Sequence, residues 1–168
     1  MINSYLLLVS SKKSQIAIFI LLNICGLIFF ILPHNIFSNM LDLRFSYSVS
    51  DVIGNLEEIG VDGRRIYIYT SLILDTIYPI LYTSLFLGAF SKLYKNKKII
   101  LFMPLCTFSF DILENLQITR LNLNYPNIDE IYVFFSSLTT SAKWIAIAIM
   151  LVLLIFGLYN KRKKNSYP

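Results

Sequence analysis

Residues 65–91, RIYIYTSLILDTIYPILYTSLFLGAFS, decide the fold class of this chain. An α-helix rises 1.5 Å per residue, so a helix of this length exceeds the roughly 20 residues that cross the hydrocarbon core of a bilayer. The stretch carries two charged side chains, Arg65 at its start and Asp75 near its middle. It therefore predicts a membrane-spanning helix with an acidic side chain inside it.

The rest of the chain is apolar in the same way. Hydrophobic residues make up 56% of the whole chain and charged residues 15%, with a mean hydropathy of +0.63, whereas a soluble domain carries about 25% charged residues. The length of 168 residues corresponds to one domain. We predict an all-α fold, a polytopic membrane four-helix bundle that forms a single transmembrane domain over residues 1–168. The predicted spans are residues 14–33, 65–91, 98–119 and 131–159.

The first span is expected to be retained and not cleaved as a secretory signal. It follows Lys12 and Lys13 as a signal peptide would. Its apolar run exceeds the roughly 7 to 15 residues of a signal core, and it lacks a small-residue cleavage site. Pro33 is expected to end this helix, because proline cannot continue the hydrogen-bond ladder.

The basic residues predict the orientation of the spans. Ten of the fifteen lie at positions 12–13, 92–98 and 161–164, Lys95 and Lys164 among them, and no acidic residue lies there. By the positive-inside rule these segments are cytoplasmic. We therefore expect a multi-pass protein of the plasma membrane with both termini cytoplasmic. The net charge of +5 follows from this anchoring to membrane lipids, so nucleic-acid binding is not expected.

The connection between the first two spans predicts a helix of its own. Ser48 and Asp51 have the spacing of a capping box, and apolar residues then recur at helical spacing. We predict a short extracytoplasmic amphipathic helix over residues 49–59, ended by Gly60. It would pack on the bundle or cover its mouth. Asp62 is expected to be the N-cap of the second span.

Two arginines, Arg64 and Arg65, follow directly and are expected at the outer membrane interface. They would extend toward lipid headgroups, or Arg64 would pair with Glu57 or Glu58. In a third interpretation Arg64 belongs to a binding site and grips a carboxylate or phosphate.

The second span carries a polar face. Ser71, Asp75, Tyr78 and Tyr82 follow one another at offsets of four, three and four residues, which places them along one side of a helix. Pro79 removes the usual hydrogen-bond partner of the Asp75 carbonyl, a defect that neighbouring side chains or water can repair in a membrane. This face is either a site for an ion, water or ligand, or a surface for helix packing.

The third span carries Asp111, Glu114 and Asn115 on one face. Counted along the helices, Asp75 lies about 16 Å from one surface and Asp111 about 20 Å from the other. In a hydrocarbon core of about 30 Å these depths nearly coincide, so we expect the acids to meet. Carboxylates gathered in a dry environment do not all carry charge at once; they share a proton or bind a cation.

Lys143 in the fourth span has two interpretations. It pairs with Glu114 inside the protein, or it reaches outward beside Trp144 at the interface while residues 131–140 form a re-entrant segment. A run of small hydroxyl residues fits both interpretations, since such residues hydrogen-bond between membrane helices. The run consists of Ser136, Ser137, Thr139, Thr140 and Ser141.

Several familiar chemistries are disfavoured. The single histidine, His34, excludes a multi-histidine iron or haem centre, and Cys25 and Cys106 are expected to be buried free thiols. The chain has no phosphate-binding glycine loop and no hydrolase or zinc-protease motif. We predict no cofactor and no metal site.

The leading hypothesis is a binding or transport-related protein with a buried acidic and polar pocket. Its pocket would hold a proton, a cation or an amine-bearing small ligand. Conduction of ions would require a homo-oligomer, because four helices leave few side chains to line a pore. The candidate binding residues are Asp75, Tyr78, Tyr82, Asp111, Glu114, Asn115, Lys143 and Arg64.

Two further hypotheses remain open. Paired carboxylates also serve as general acid and base, so the alternative is a membrane enzyme acting on a lipid or isoprenoid. In the third, the polar residues only specify how the helices pair.

A series of short motifs spans most of the chain. They are Leu41-Asp42-x-Arg44, Leu56-x-x-x-Gly60-x-x-Gly63-Arg64-x-x-Tyr67, Asp75-x-x-Tyr78-Pro79, Asp111-x-x-Glu114-Asn115 and Lys143-Trp144. In this series the chain resembles a group of small, uncharacterised four-helix integral membrane proteins. The resemblance implies the topology and the set of residues of interest, and it implies no activity.

Overall fold

The computed structural model describes residues 2–94 and 97–165 and is helical in both ranges, without strands. Lys95 lies outside these ranges, and the side chain of Lys164 is also outside the description. The α-helices are α1 (Ile2–Ser10), α2 (Lys12–Phe30), α3 (Ile36–Asn39), α4 (Val49–Glu58), α5 (Gly60–Tyr69), α6 (Asp75–Leu93), α7 (Phe102–Asn124) and α8 (Glu130–Asn165). Two 3₁₀ turns span Leu41–Leu43 and Lys98–Leu101, and a π-helical turn, Thr70–Leu74, joins α5 to α6.

Within the described residues, four helical stretches are long and apolar enough to cross a membrane. This confirms the all-helical class and the four apolar helices. The stretches are Lys12–Phe30, Gly60–Leu93, Lys98–Asn124 and Glu130–Lys163. Many large apolar side chains on them are exposed, Leu27 at 64% and Ile155 at 67% among them. A soluble monomer rarely leaves such an apolar surface uncovered.

The long helices alternate in direction. Near the start of α2, Gln15 donates a hydrogen bond to the carbonyl of Leu85 (3.2 Å), in the second half of α6. Beyond α6, the hydroxyl of Tyr94 donates to the carbonyl of Leu153 (2.6 Å), late in α8. The basic positions 12–13, 92, 97–98 and 161–163 therefore lie toward one end of the molecule, which we call the lysine-rich end.

Helix α1 precedes the first predicted span and was not predicted. It lies against α6, where the hydroxyls of Tyr5 and Ser84 share a hydrogen bond (2.7 Å). Gly88 permits this approach, because a Cβ there would lie 2.3 Å from the carbonyl oxygen of Val9. Ser11 then caps α2 by accepting a hydrogen bond from a backbone N–H of its first turn.

Helix α4 has the predicted capping box. The backbone N–H of Ser48 donates to Asp51 Oδ2 (2.8 Å), and that of Asp51 donates to Ser48 Oγ (3.3 Å). The Ser48 hydroxyl also donates to Asp51 Oδ2 (2.6 Å), and this hydrogen bond, the one from the Ser48 backbone N–H and the nearby Arg44 guanidinium lower the pKa of Asp51 below its ordinary value. The predicted N-cap at Asp62 is wrong. Gly60, with φ 67°, begins α5 directly after α4, so Asp62 lies inside the first turn of α5.

The connection before α4 folds against α8. The backbone N–H of Tyr47 donates to Ser137 Oγ (2.9 Å), and its hydroxyl shares a hydrogen bond with Ser136 Oγ (2.6 Å). Ser141 Oγ donates to the carbonyl of Phe45 (2.7 Å). Burial raises the pKa of Tyr47 to about 12. The hydroxyl run of α8 thus binds this connection, which differs from the predicted hydrogen bonding between membrane helices.

Candidate functional site

The site begins at a break in the helix that contains Asp75. The π turn Thr70–Leu74 ends immediately before Asp75, and Pro79 lies one turn further. Asn115 Nδ2 donates to the Asp75 carbonyl (2.6 Å), the group that Pro79 leaves without a helical partner. A side chain of α7 thus repairs the defect and joins α6 to α7. π-helical turns inside helices are frequent at functional sites.

Lys143 occupies the centre of the acidic residues. Its Nζ lies 2.5 Å from Glu114 Oε2 and 3.8 Å from Asp111 Oδ1. Lys143 is 5% exposed and Glu114 is fully buried. The structure therefore has the predicted buried pair. The interfacial interpretation is wrong, because α8 is continuous from Glu130 and contains no re-entrant segment.

Asp42 is the residue that sequence reasoning left out of the site. It lies in the 3₁₀ turn after α3 and is 5% exposed. Its Oδ1 accepts a hydrogen bond from the hydroxyl of Tyr67 (3.1 Å), and its carbonyl accepts from Lys143 Nζ and Trp144 Nε1 (both 3.1 Å). In the sequence, Asp42 stands out only as part of the Leu41-Asp42-x-Arg44 motif. No sequence pattern predicts that this connection lies between the helices.

The carboxylates differ in their partners. The hydroxyl of Tyr82 donates a hydrogen bond to Asp111 Oδ2, while Asp42 is bonded to Tyr67 and Glu114 to Lys143. Asp75 is 8% exposed, and within the described ranges neither of its carboxylate oxygens forms a hydrogen bond or an ion pair. A buried carboxylate without a partner is costly.

Asp75 lines a cavity of about 430 Å³ between α2, the connection after it, α6, α7 and α8. Its charged and polar lining residues are Asp42, Asp75, Tyr78, Tyr82, Asp111, Lys143 and Trp144. Tyr78 packs edge-on against Phe29 at 5.9 Å between ring centroids, so its ring forms part of the wall. The remaining lining side chains are aliphatic or aromatic.

Glu114 and Asn115, two of the predicted site residues, do not line the cavity. They lie behind its wall, where Glu114 accepts a hydrogen bond from Lys143 and Asn115 donates one to the Asp75 carbonyl. One oxygen of each, Glu114 Oε1 and Asn115 Oδ1, is buried without a hydrogen-bond partner in the described structure. Both residues support the wall, and neither is positioned to touch a molecule in the cavity.

Arg64 lies apart from the cavity. Its Nη1 donates to the carbonyl of Leu56 (2.7 Å), and its guanidinium stacks over the ring of Tyr125 at 4.3 Å. Among the described residues it forms no ion pair with Glu57 or Glu58. Of the predicted binding residues, Arg64 is thus one that the structure does not bring to the cavity. The arginine of this region that does form an ion pair is Arg44, with Asp51 (2.9 Å).

The two cysteines are free, but only one is buried. Cys25 is 5% exposed, whereas Cys106 is exposed, in contrast to the prediction of two buried thiols. Within residues 2–94 and 97–165, no group of three or more histidine, cysteine, aspartate or glutamate side chains is arranged to hold a metal ion.

The electrostatics of the cavity favour a positive occupant. Three carboxylates line it, those of Asp42, Asp75 and Asp111, against the one ammonium of Lys143, which already pairs with Glu114. Unpaired negative charge in a low-dielectric site is compensated by a proton or by a bound cation. Tyr78 and Trp144 add aromatic faces that attract cations.

Searches for similarity found no match to this chain among protein-family models, curated proteins or solved structures.

Proposed function

We propose that this chain is a multi-pass protein of the plasma membrane and a four-helix bundle. The exposed apolar side chains of the four long helices support membrane insertion. The lysine-rich end would face the cytoplasm and carry both termini, as the positive-inside rule predicts. Helix α4 would then lie on the extracytoplasmic side, since it connects the ends of the first two spans that are opposite the lysine-rich end.

We further propose that the cavity is a binding or transport-related site for a proton, a cation or an amine-bearing small ligand. The observation that carries this proposal is the Asp75 carboxylate, which is buried, faces the cavity and has no partner among the described residues. Asp111 and Tyr82 would supply further acceptor and hydroxyl groups beside it. Glu114 and Lys143 would fix the wall from behind.

Ligand-dependent stability tests the proposal. We suggest purified protein in lipid nanodiscs, unfolded in a series of ethylammonium chloride concentrations, with sodium chloride at matched ionic strength as the reference. A ligand at one hundred times its Kd stabilises the folded state by about 2.7 kcal/mol. Asp75→Asn should remove this increment, whereas Asp62→Asn, at an exposed position outside the cavity, should retain it.

The Asp75→Asn variant also distinguishes a ligand-binding site from a purely structural role of Asp75. Asp75→Asn replaces an unpartnered buried acid by a neutral side chain, so the empty protein should become more stable as it loses ligand dependence. Side chains that only specify helix pairing would give the opposite result, a loss of stability. In proteoliposomes, cation or proton flux that survives alanine at Asp75, Asp111 and Glu114 together would contradict transport through this site.

The alternative function is that of a membrane enzyme acting on a lipid or isoprenoid. The observation that favours it is the difference between neighbouring carboxylates in an apolar cavity: Asp111 is bonded to Tyr82, while Asp75 is unpartnered. Such a pair can divide the roles of general acid and general base. Lipid extracts from cells with and without the protein should then differ in one species, and Asp75→Asn or Asp111→Asn should abolish that difference.

A further inference from the structure

The cavity is lined by exposed residues of both α2 and α8, Phe30 and Leu151 among them, which places an opening of the cavity between these two helices. Both helices pack on α6, but they do not pack closely on each other. Three cavity-lining residues on this side are themselves exposed: Phe30 of α2 at 65%, and Leu43 and Leu151 at 46% each. An opening with such a rim adjoins the apolar outer surface of the helices, which is the surface that faces acyl chains in the proposed membrane protein.

The polar and apolar parts of the cavity are separated. The acids and Lys143 come from α6, α7, the first half of α8 and the 3₁₀ turn, whereas the rest of the lining is hydrocarbon and aromatic. These apolar lining residues include Gly26, Phe29 and Phe30 of α2 and Ile147, Met150 and Leu151 of α8. A molecule that satisfies both parts has one polar head and an apolar body.

We propose that the cavity binds an amphiphilic amine, with its ammonium group at Asp75 and its hydrocarbon chain between α2 and α8, and that this ligand enters from the lipid phase. The proposal rests on the proposed function, because it takes the Asp75 site as a binding site for positive charge. It adds the ligand class, the orientation and the route of entry.

Charge decides what kind of head fits. The lining offers one ammonium, Lys143 Nζ, and that group is held by Glu114 Oε2 at 2.5 Å and by the Asp42 carbonyl at 3.1 Å. A phosphate beside Asp75 and Asp111 would therefore meet two carboxylates and no available cation. The ligand is accordingly an amine without a phosphate, such as an alkylamine, and not a phospholipid with an amine headgroup.

The protein contains its own reporter of occupancy. Trp144 is the only tryptophan of the chain and lines the cavity. A brominated dodecylamine whose chain lies in the cavity should quench the fluorescence of Trp144. Unbrominated dodecylamine should restore the fluorescence by competition, which distinguishes a saturable site from random contact of Trp144 with lipid.

The test uses nanodiscs and compares dodecylamine, dodecanol and phosphatidylethanolamine as competitors at equal mole fraction in the bilayer. We expect dodecylamine to compete at least tenfold more effectively than the other two. Asp75→Asn should lower the affinity for the amine at least tenfold, and it should not change the weak effect of the alcohol.

A second variant examines the chain subsite without changing the acid. Gly26 lines the cavity, and a Cβ there would lie 3.7 Å from the Tyr78 ring, in ordinary contact. Gly26→Leu should fill the space of the hydrocarbon chain and weaken dodecylamine competition at least tenfold. Gly54→Leu, at an exposed position of α4 with open space around it, is the matched control and should bind as the wild type does. Gly26→Ala serves as a second variant in case the leucine disturbs folding, and it should give a smaller reduction.

The outcomes separate the two proposals. If ethylammonium stabilises the protein through Asp75 but dodecylamine does not compete in the quenching assay, the amphiphile proposal is wrong and the proposed function stands. If Asp75→Asn changes neither response, both proposals are wrong. Equal competition by the amine and by phosphatidylethanolamine would overturn the assignment of the head group.

Discussion

Replacing Lys143 by methionine gives the sharpest test of how the buried charges are balanced. Lys143 is 5% exposed, and its Nζ is 2.5 Å from Glu114 Oε2. Within the described residues, Glu114 Oε1 has no hydrogen-bond partner, and Lys143 is the cation that pairs with the Glu114 carboxylate. Lys143→Met preserves most of the side-chain volume and removes that partner, which leaves a fully buried carboxylate unbalanced.

Replacing the two members of this ion pair should lower the free energy of unfolding by different amounts. Breaking a buried pair from one side typically costs about 3–5 kcal/mol, and we expect that loss of unfolding free energy for Lys143→Met. Glu114→Gln should cost less, about 1.5–3 kcal/mol, because Lys143 keeps the Asp42 carbonyl at 3.1 Å and Asp111 Oδ1 at 3.8 Å. The two losses should not add: the double variant should be more stable than their sum predicts, by a coupling energy on the order of 2 kcal/mol.

Equilibrium unfolding of the four proteins in one bilayer mimetic measures this cycle. The reasoning would be refuted if Lys143→Met were neutral, or if the losses of the two single variants added up in the double variant. Lys143→Ala is a less suitable test, because it also creates a cavity whose cost would be added to the electrostatic one.

Further predictions concern the parts of the fold outside the cavity. Gly88→Ala should detach α1 from α6, because the added Cβ would lie 2.3 Å from the Val9 carbonyl oxygen, and protease should then cleave the α1 segment faster. Ser48→Ala should cost about 1 kcal/mol as a lost N-cap and raise the pKa of Asp51, which a carbon-detected NMR titration would record. The depressed pKa of Asp51 stabilises the fold at pH values above its unfolded value of 3.8, so stability in the wild type should fall as pH drops below that value, and less so in the variant. Tyr47 has its pKa raised from 10.0 to about 12, so it should contribute a loss of stability as pH rises between these values, and Tyr47→Phe should remove that contribution.

Local rules of the chain made part of the site predictable. Proline removes the partner of a carbonyl four residues earlier, and helical spacing aligns Asp111, Glu114 and Asn115 on one face of α7. The depth estimate then placed Asp75 and Asp111 at one level. In the structure Asn115 bonds the Asp75 carbonyl, and Lys143 pairs with Glu114. Each of these contacts follows from two facts, the position along a helix and the direction of that helix.

Contacts of the connections between the long helices could not be predicted in this way. Asp42 reaches the cavity because the connection after α2 folds inward and forms hydrogen bonds with α8. The sequence of that connection has no periodic pattern from which this fold could be predicted. The hydroxyl run of α8 is equally ambiguous, since serines that bind a loop and serines that bind a helix look alike in sequence. The N-cap at Asp62 failed because Gly60 offered a competing helix start two residues earlier, through its left-handed backbone.

A comparison of the four buried carboxylates supports the proposal that Asp75 binds a ligand. Asp42, Asp111 and Glu114 each have a hydrogen-bonding partner in the described structure, so their burial is compensated internally. Asp75 is compensated least, although it also follows a π-helical turn and precedes a proline, both of which weaken the local helix. An asparagine or leucine at this position would remove the charge without loss of any hydrogen bond that the described structure records. Stability alone would favour such a replacement, and this supports the proposal that the positive group of a bound molecule supplies the missing partner of Asp75.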